Sequence, residues 1–569
     1  MGSSYCRDRH HGWTASSARI TIRLPFEEPI VATVTSRPQA DEDPAAGLPE
    51  SPPTTGASVG VRGFGWTYAG ATRPALEGLD FELAPGESVL VLGGLGAGRT
   101  SLARALTGLI PHRMRGTARG AVSVAGREVA RTPLGRLATL VGLAGPDALR
   151  WPLVTRVSDH VALPLGFRGW STDDMRGRVA EVLALVGLDQ RGGQQVETLS
   201  AGELARLDLA TAIAPRPGLL VLDHPLRHID SGGRSGVTSV LREIAAGSTQ
   251  TLVLIERPSE ELFEVCDRVL LLGDDGSQLY FGHAAGVGAA QIARLQRDGA
   301  WLPVAWQRWT TGGDGPEIRA LPVPVAVNET GPPPEIAAHP LLVARGLTIE
   351  LSSDHGRSRH APIRDLDLTL PAGRRVALVG PNGAGASTLL RALAGRLRPT
   401  RGSVAVGDGT EPPALDPRRA SASHVARLVR ILGDRPEIGL IRSSIADEVV
   451  GDRVGTRAKP NLAAEVEQVL DRFGARLAPG GSPHGLSSGE LRLLQFATAL
   501  WSSPGVLLLD QPAQGLDRRG WELLAELLDD LRGLGQAQVM ATHDERLIEG
   551  ADEIIELGQS PDSAEASAP

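Results

Sequence analysis

Chemistry concentrates in two nine-residue stretches, Gly93-Gly-Leu-Gly-Ala-Gly-Arg-Thr-Ser101 and Gly380-Pro-Asn-Gly-Ala-Gly-Ala-Ser-Thr388. Each follows an apolar run, Ser88-Val-Leu-Val-Leu92 or Val376-Ala-Leu-Val379, and precedes a helix-forming segment. Strand, glycine loop and helix in that order suit an anion, because glycines let successive backbone N–H groups converge at the positive end of a helix. The cation that completes such a nest differs between the two loops. Arg99 stands there in the first and Ala386 in the second, so the second loop keeps its backbone nest and loses its charge. The chain is biased toward Arg, with Lys459 its only lysine. That bias accounts for Arg99 and leaves Ala386 unexplained.

Two more motif pairs follow the loops. Ser200-Ala-Gly-Glu203 and Ser487-Ser-Gly-Glu490 each open an apparent helix, and the apolar runs Gly218–Leu222 and Val506–Leu509 end in Asp223 and Asp510. Gly93 to Gly380, Ser200 to Ser487, Asp223 to Asp510 and Asp230 to Asp517 are all separated by 287 positions. A fixed interval across four separated motifs means one domain repeated. Upstream the interval is 283, matching Val61–Tyr68 to Ala344–Leu351 and placing four extra loop residues in the second copy.

The elements that must position these motifs are short apolar runs between amphipathic stretches. That alternation predicts a buried, mainly parallel sheet with helices on both faces. At 569 residues the chain exceeds one core. The boundaries expected are a mostly disordered head at 1–57, a first domain at 58–285, a Pro-, Gly- and Trp-rich connector at 286–338, a second domain at 339–558 and a disordered tail at 559–569. Within the head, Ala18 to Val34 reads as a strand pair. The connector reads as extended, draped over the first domain with its tryptophans docked on that surface.

Composition narrows the function. The net charge of -8 points away from nucleic acid as a partner. Cys6 and Cys266 form no disulfide framework and suit a reducing compartment. Cys6, His10 and His11 have unequal spacing and no fourth ligand, so no metal site is read there. No apolar run approaches the roughly eighteen residues a membrane span needs, and no signal-peptide pattern opens the chain.

With loop, serine motif and aspartate-ended strand in this order, the chain resembles the ATP-binding cassette family: a Walker A loop, a signature close to LSGGQ, a Walker B strand and a D-loop at Arg227–Asp230 and Gln514–Asp517. The resemblance covers roughly 58–285 and 339–558. It implies two tandem P-loop nucleotide-binding domains, each a RecA-like mainly parallel sheet with an antiparallel β-subdomain and a helical subdomain. ATP and Mg²⁺ are the implied cofactors. The loop residues Gly93, Gly96, Gly98, Arg99, Thr100 and Ser101, and Gly380, Gly383, Gly385, Ala386, Ser387 and Thr388, would cradle phosphates. Thr100 with Asp223, and Ser387 with Asp510, would hold the ion through oxygen. Tyr68 matches the aromatic that stacks on adenine, while Leu351 at the second site stacks less well. Family sites are composite: the first loop would face Ser487 and Gly489, the second Ser200 and Gly202, in a sandwich formed within one chain.

The departures from the family pattern bear on hydrolysis. At the first site Pro146 replaces the Q-loop glutamine, His224 the glutamate after Walker B, and Arg257 the switch histidine. At the second site Asp434 and Gln511 stand at the first two of these positions and His543 keeps the pattern. Gln511 is nearly isosteric with Glu but takes no proton, and a missing general base lowers rate by about 10²–10⁴. Two readings follow. One is the ATP-binding subunit of an importer resembling the cobalt and energy-coupling-factor type, on the cytoplasmic face of the cell membrane. Its integral membrane subunit would dock coupling helices near Pro146–His160 and Asp434–Val450. The other is a non-hydrolysing, nucleotide-dependent scaffold or regulator.

Overall fold

A computed structural model describes residues 17–22, 30–35, 56–71, 73–145, 154–226, 229, 231–247, 250–303, 306, 339–353, 358–381, 383–451, 462–473, 477–483 and 486–558. Two copies of one architecture follow each other along the chain. In the first, five strands lie parallel in the order Arg268–Leu272, Ser88–Gly93, Thr251–Ile255, Leu219–Asp223, Val141–Ala144, and Gln278–Gly282 adds antiparallel at the Arg268–Leu272 edge. In the second, Val429–Leu432, Val506–Asp510, Ala537–Ala541, Arg375–Val379 and Glu553–Glu556 are all parallel.

The central strands are buried along their whole length, which is why they read as continuous apolar runs. One face of the first sheet packs with the Arg99–Leu106 helix and an antiparallel sheet built on Val59–Tyr68, Leu76–Leu83 and Gly116–Val124. Its other face packs on Val157–Phe167, Thr172–Leu185 and Ala201–Ile213. The second domain repeats both layers, with Leu342–Ser353, Ser358–Leu370 and Arg401–Val406 in its antiparallel sheet and Ser488–Ser502 on the opposite face. This is the expected fold class.

In the head, Ser17–Ile22 pairs antiparallel with Ile30–Thr35. The connector differs from its extended reading at its start: Ala289–Arg297 is a helix that buries only Ile292 and Leu295. Trp306 packs edge-on against Phe263 of the first domain, whereas Trp301 sits between the two domains. Residues 307–338 lie outside the described residues, as do the expected tail at 559–569 and most of the head. Among the described residues, no helix is long and apolar enough to cross a membrane.

Candidate functional site

Both glycine loops turn the same way. Gly98 and Gly385, with φ of 85° and 98°, are left-handed caps on the helices Arg99–Leu106 and Ala386–Leu393. Thr100 and Ser101, and Ser387 and Thr388, thereby occupy matching first-turn positions. Arg99 sits among acids: burial pulls its guanidinium below the usual range, and Asp223, Asp517 and Glu256 pull it back up. Ala386 instead packs against its own domain's core. Tyr68 lies edge-on to Trp66, its hydroxyl 3.0 Å from Ser101 Oγ and accepting from Arg104 at 3.4 Å. Leu351 lies in the strand Leu342–Ser353, opposite His360.

In each sheet the strand two places from the loop strand ends at the acid. Asp223 is opposite Ile255 and Asp510 opposite Ala541. The next residue donates its N–H back across that pair, His224 to Ile255 O at 2.7 Å and Gln511 to Ala541 O at 2.8 Å. Arg257 and His543, each two residues further on, therefore hold equivalent places, although their interval is one short of 287. His224 and Gln511 share a left-handed backbone, with φ of 56° and 50°.

Glu256 was not singled out in the sequence, yet it organises the first site. Its carboxylate meets His224 Nδ1 at 3.4 Å and accepts from Leu226 N at 3.0 Å and Arg257 N at 2.8 Å. Burial opposes its charge, but His224 and these amides outweigh burial and hold its pKa at about 2. Asp510 goes the other way. Burial and the neighbouring Asp434 charge push it up to about 6, against a Ser387 hydrogen bond and the charges of Arg391 and Arg492. Arg492, buried on the signature helix, donates to the carbonyls of Gly433 and Asp434 and so holds that segment at the site. In the first domain Asp208, on the corresponding helix, accepts from Gly145 N at 2.6 Å, and burial raises its carboxyl to about 8.

The two domains meet at the first loop. Leu95 N–H donates to the Asp517 carboxylate at 2.7 Å, and the Leu95 side chain is buried in the second domain's core. Gly489 permits that contact, since a Cβ there would lie 2.1 Å from Leu95 Cδ1. Ser487 caps its helix in a reciprocal box with Glu490, whose carboxylate faces Gly96. The first loop thus meets the start of the second domain's signature helix at Gly489 and Glu490. A cavity of about 210 Å³ at the junction is lined by residues of both halves, among them Arg99, His224, Arg257, Gln511 and His543.

The second loop has no comparable cover in the described structure. Gly383 is exposed, and a side chain grown there would meet nothing within 4 Å. Ser200 caps its own helix with Glu203, which pairs with Arg191 at 3.0 Å, and Gly202 is buried in that helix's first turn. Pro146, Asp230 and Asn382 fall outside the described residues. Beyond Glu256, the residues missed in the sequence are Leu95, Asp208 and Arg492, while Trp301, read as docking on the first domain alone, reaches the second. Their roles depend on tertiary neighbours, and only the leucine within an otherwise glycine-rich loop carried a local signal.

A repeated parallel sheet with a glycine loop, a capped signature helix and an aspartate-ended strand in each copy defines a tandem nucleotide-binding-domain protein. The family model described as ABC transporter matches residues 76–227 and 363–514, and the chain belongs to that family as an ATP-binding subunit. It is 32% identical over 513 residues to a Streptomyces avermitilis protein described as an ABC transporter ATP-binding protein, covering 84% of this chain and 88% of that one. A Streptomyces coelicolor protein of like description is 32% identical over 529 residues, with the same shares covered. A Bacillus subtilis protein described as an ATP-binding protein of HMP/thiamine import is 25% identical over 503 residues, covering 87% and 89%.

Proposed function

We propose that the chain couples ATP binding at two unequal composite sites to small-molecule uptake through a separate membrane subunit. The observation that carries this reading is the first loop's fit against Gly489, Glu490 and Asp517 of the second domain, as a composite site within one chain requires. The Pro-rich connector and the import function in the name of the Bacillus subtilis relative favour an importer of the energy-coupling-factor type.

The residues fit Mg²⁺ at the first site. Asp223 is 2% exposed, and its Oδ1 has no hydrogen-bond partner among the described residues. A hard cation offsets such an oxygen. Asp223 with Thr100, and Asp510 with Ser387, would hold the ion, which when bound draws charge from the phosphates. The glycine-loop amides would orient those phosphates, with Arg99 adding charge at the first site, while Tyr68 walls the ligand beside Ser101. Arg99 is a planar fork in a place suited to a compact ammonium, so it binds phosphate without matching lysine's reach. At the second site neither Ala386 nor Gln511 supplies the charge or the base that their positions carry in the family, so turnover there is slow.

The second reading, a non-hydrolysing scaffold, draws on His224, Ala386 and Gln511 together. Steady-state ATPase measurement on the protein with its membrane partner separates the two. Turnover abolished by Asp223→Asn with Asp510→Asn supports the transporter subunit. Absent turnover with retained Mg·ATP binding supports the scaffold.

A further inference from the structure

Trp301 stands at the end of the connector helix, at a point where three parts of the chain converge. Its indole Nε1 donates to Leu516 O at 3.1 Å, in the second domain's D-loop. Arg257, from the first domain, donates to that same carbonyl at 2.8 Å and to Ala513 O at 3.0 Å. The Arg257 guanidinium lies 5.2 Å from the Trp301 ring centre and that of Arg546, from the second domain, 5.7 Å. Arg546 also lies over Trp521, whose Nε1 donates to Asp544.

The turn before Trp301 touches both domains. Gly299 O accepts from Arg518 N at 3.0 Å and Gln296 O from the Arg518 guanidinium at 3.0 Å. On the other side Asp298 O packs so close to the first loop that a Cβ on Gly94 would lie 2.2 Å from it. The D-loop held in this way ends in Asp517, the acceptor for Leu95 N–H.

We propose that Trp301 is a positioning residue: with Arg257 it clasps the second domain's D-loop onto the first glycine loop, and this junction stays assembled with or without nucleotide. Opening of the molecule is then confined to the side of the second loop, where Gly383 is exposed. The contacts are protein to protein, and charged donors with cation–π packing give them strength that a ligand need not supply. An arginine at a position where the family carries a switch histidine trades a group that could answer to phosphate for one committed to two carbonyls.

Amide hydrogen exchange on the full chain tests this, and its nucleotide-free arm decides whether or not ATP binds, so it stands apart from the reading of function. The Leu95 and Arg518 amides are expected to be protected without nucleotide and unchanged by Mg·ATP. Trp301→Ala and Arg257→Ala should each speed their exchange at least tenfold and make it respond to Mg·ATP, leaving the Val89–Leu92 amides unchanged. Trp301→Phe keeps a ring and loses the donor, and should speed exchange a few-fold. Rapid exchange at Leu95 and Arg518 in the unmodified, nucleotide-free protein overturns the clasp. So does unchanged exchange in the alanine variants with the Val89–Leu92 strand intact. If the alanine variants unfold, Trp301→Phe decides: a few-fold rise supports the clasp and no rise overturns it.

Discussion

The two glycine loops share a backbone and differ in everything that surrounds it. The first carries a cation among three acids and is pressed against the opposite domain through Leu95. The second carries Ala386 packed into its own core, and its Gly383 is exposed. A loop's conformation and its chemistry are therefore separable. The turn is set by glycines and the helix that follows, whereas charge and cover come from single side chains and a partner surface. Recognising the loop identifies the fold without stating what the site still does.

Placing a cation and a carboxylate at the second site is the strongest way to break the contrast. Gln511→Glu combined with Ala386→Lys should raise turnover by about 10²–10⁴ if the second site is limited by its lost base, read as steady-state phosphate release. Leu95→Ala removes the side chain that crosses the junction and should destabilise the protein by about 2–4 kcal/mol, read by chemical denaturation of the full chain. Alanine at the exposed Pro381, the residue after the second loop's opening glycine, should change stability by less than about 0.5 kcal/mol.

The acids sharpen the comparison through pH. Asp510 rises on folding from 3.8 to about 6, so the folded state takes up this proton more readily than the unfolded chain. The protein should gain stability from this group as pH falls from about 6 toward 4 and lack that gain above 6, by at most about 3 kcal/mol. Asp434→Asn removes the neighbouring charge and should narrow that window from above, seen in denaturation series at several pH values. A single change, Ala386→Lys alone, separates charge from base at the second site. It should strengthen nucleotide binding at the second site about tenfold, measured by titration with a fluorescent nucleotide. Unchanged affinity would place residue 386 away from the phosphates, consistent with its packing against the core.

Much of the fold was legible because its signals are local and repeated. Buried parallel strands read as apolar runs, and the interval of 287 ties Gly93 to Gly380 and Asp223 to Asp510 without reference to any contact. The junction was not legible in that way. Leu95 and Asp517 are 422 positions apart, and nothing about either residue type announces the other. Trp301 read as a surface anchor on the first domain because a Pro- and Gly-rich neighbourhood suggested no helix. In fact Ala289–Arg297 forms on only two buried side chains, too few to mark a period. Glu256 went unnoticed because its importance comes from His224 on the next strand.

His224 and Gln511 hold a left-handed backbone that side chains other than glycine adopt at roughly 1–2 kcal/mol. Both copies keep that unfavourable turn, one with an imidazole and one with a carboxamide. The polypeptide has thus changed its vocabulary and kept its grammar. A glutamate placed at either position would inherit a ready-made backbone at the wall of the cavity between the domains.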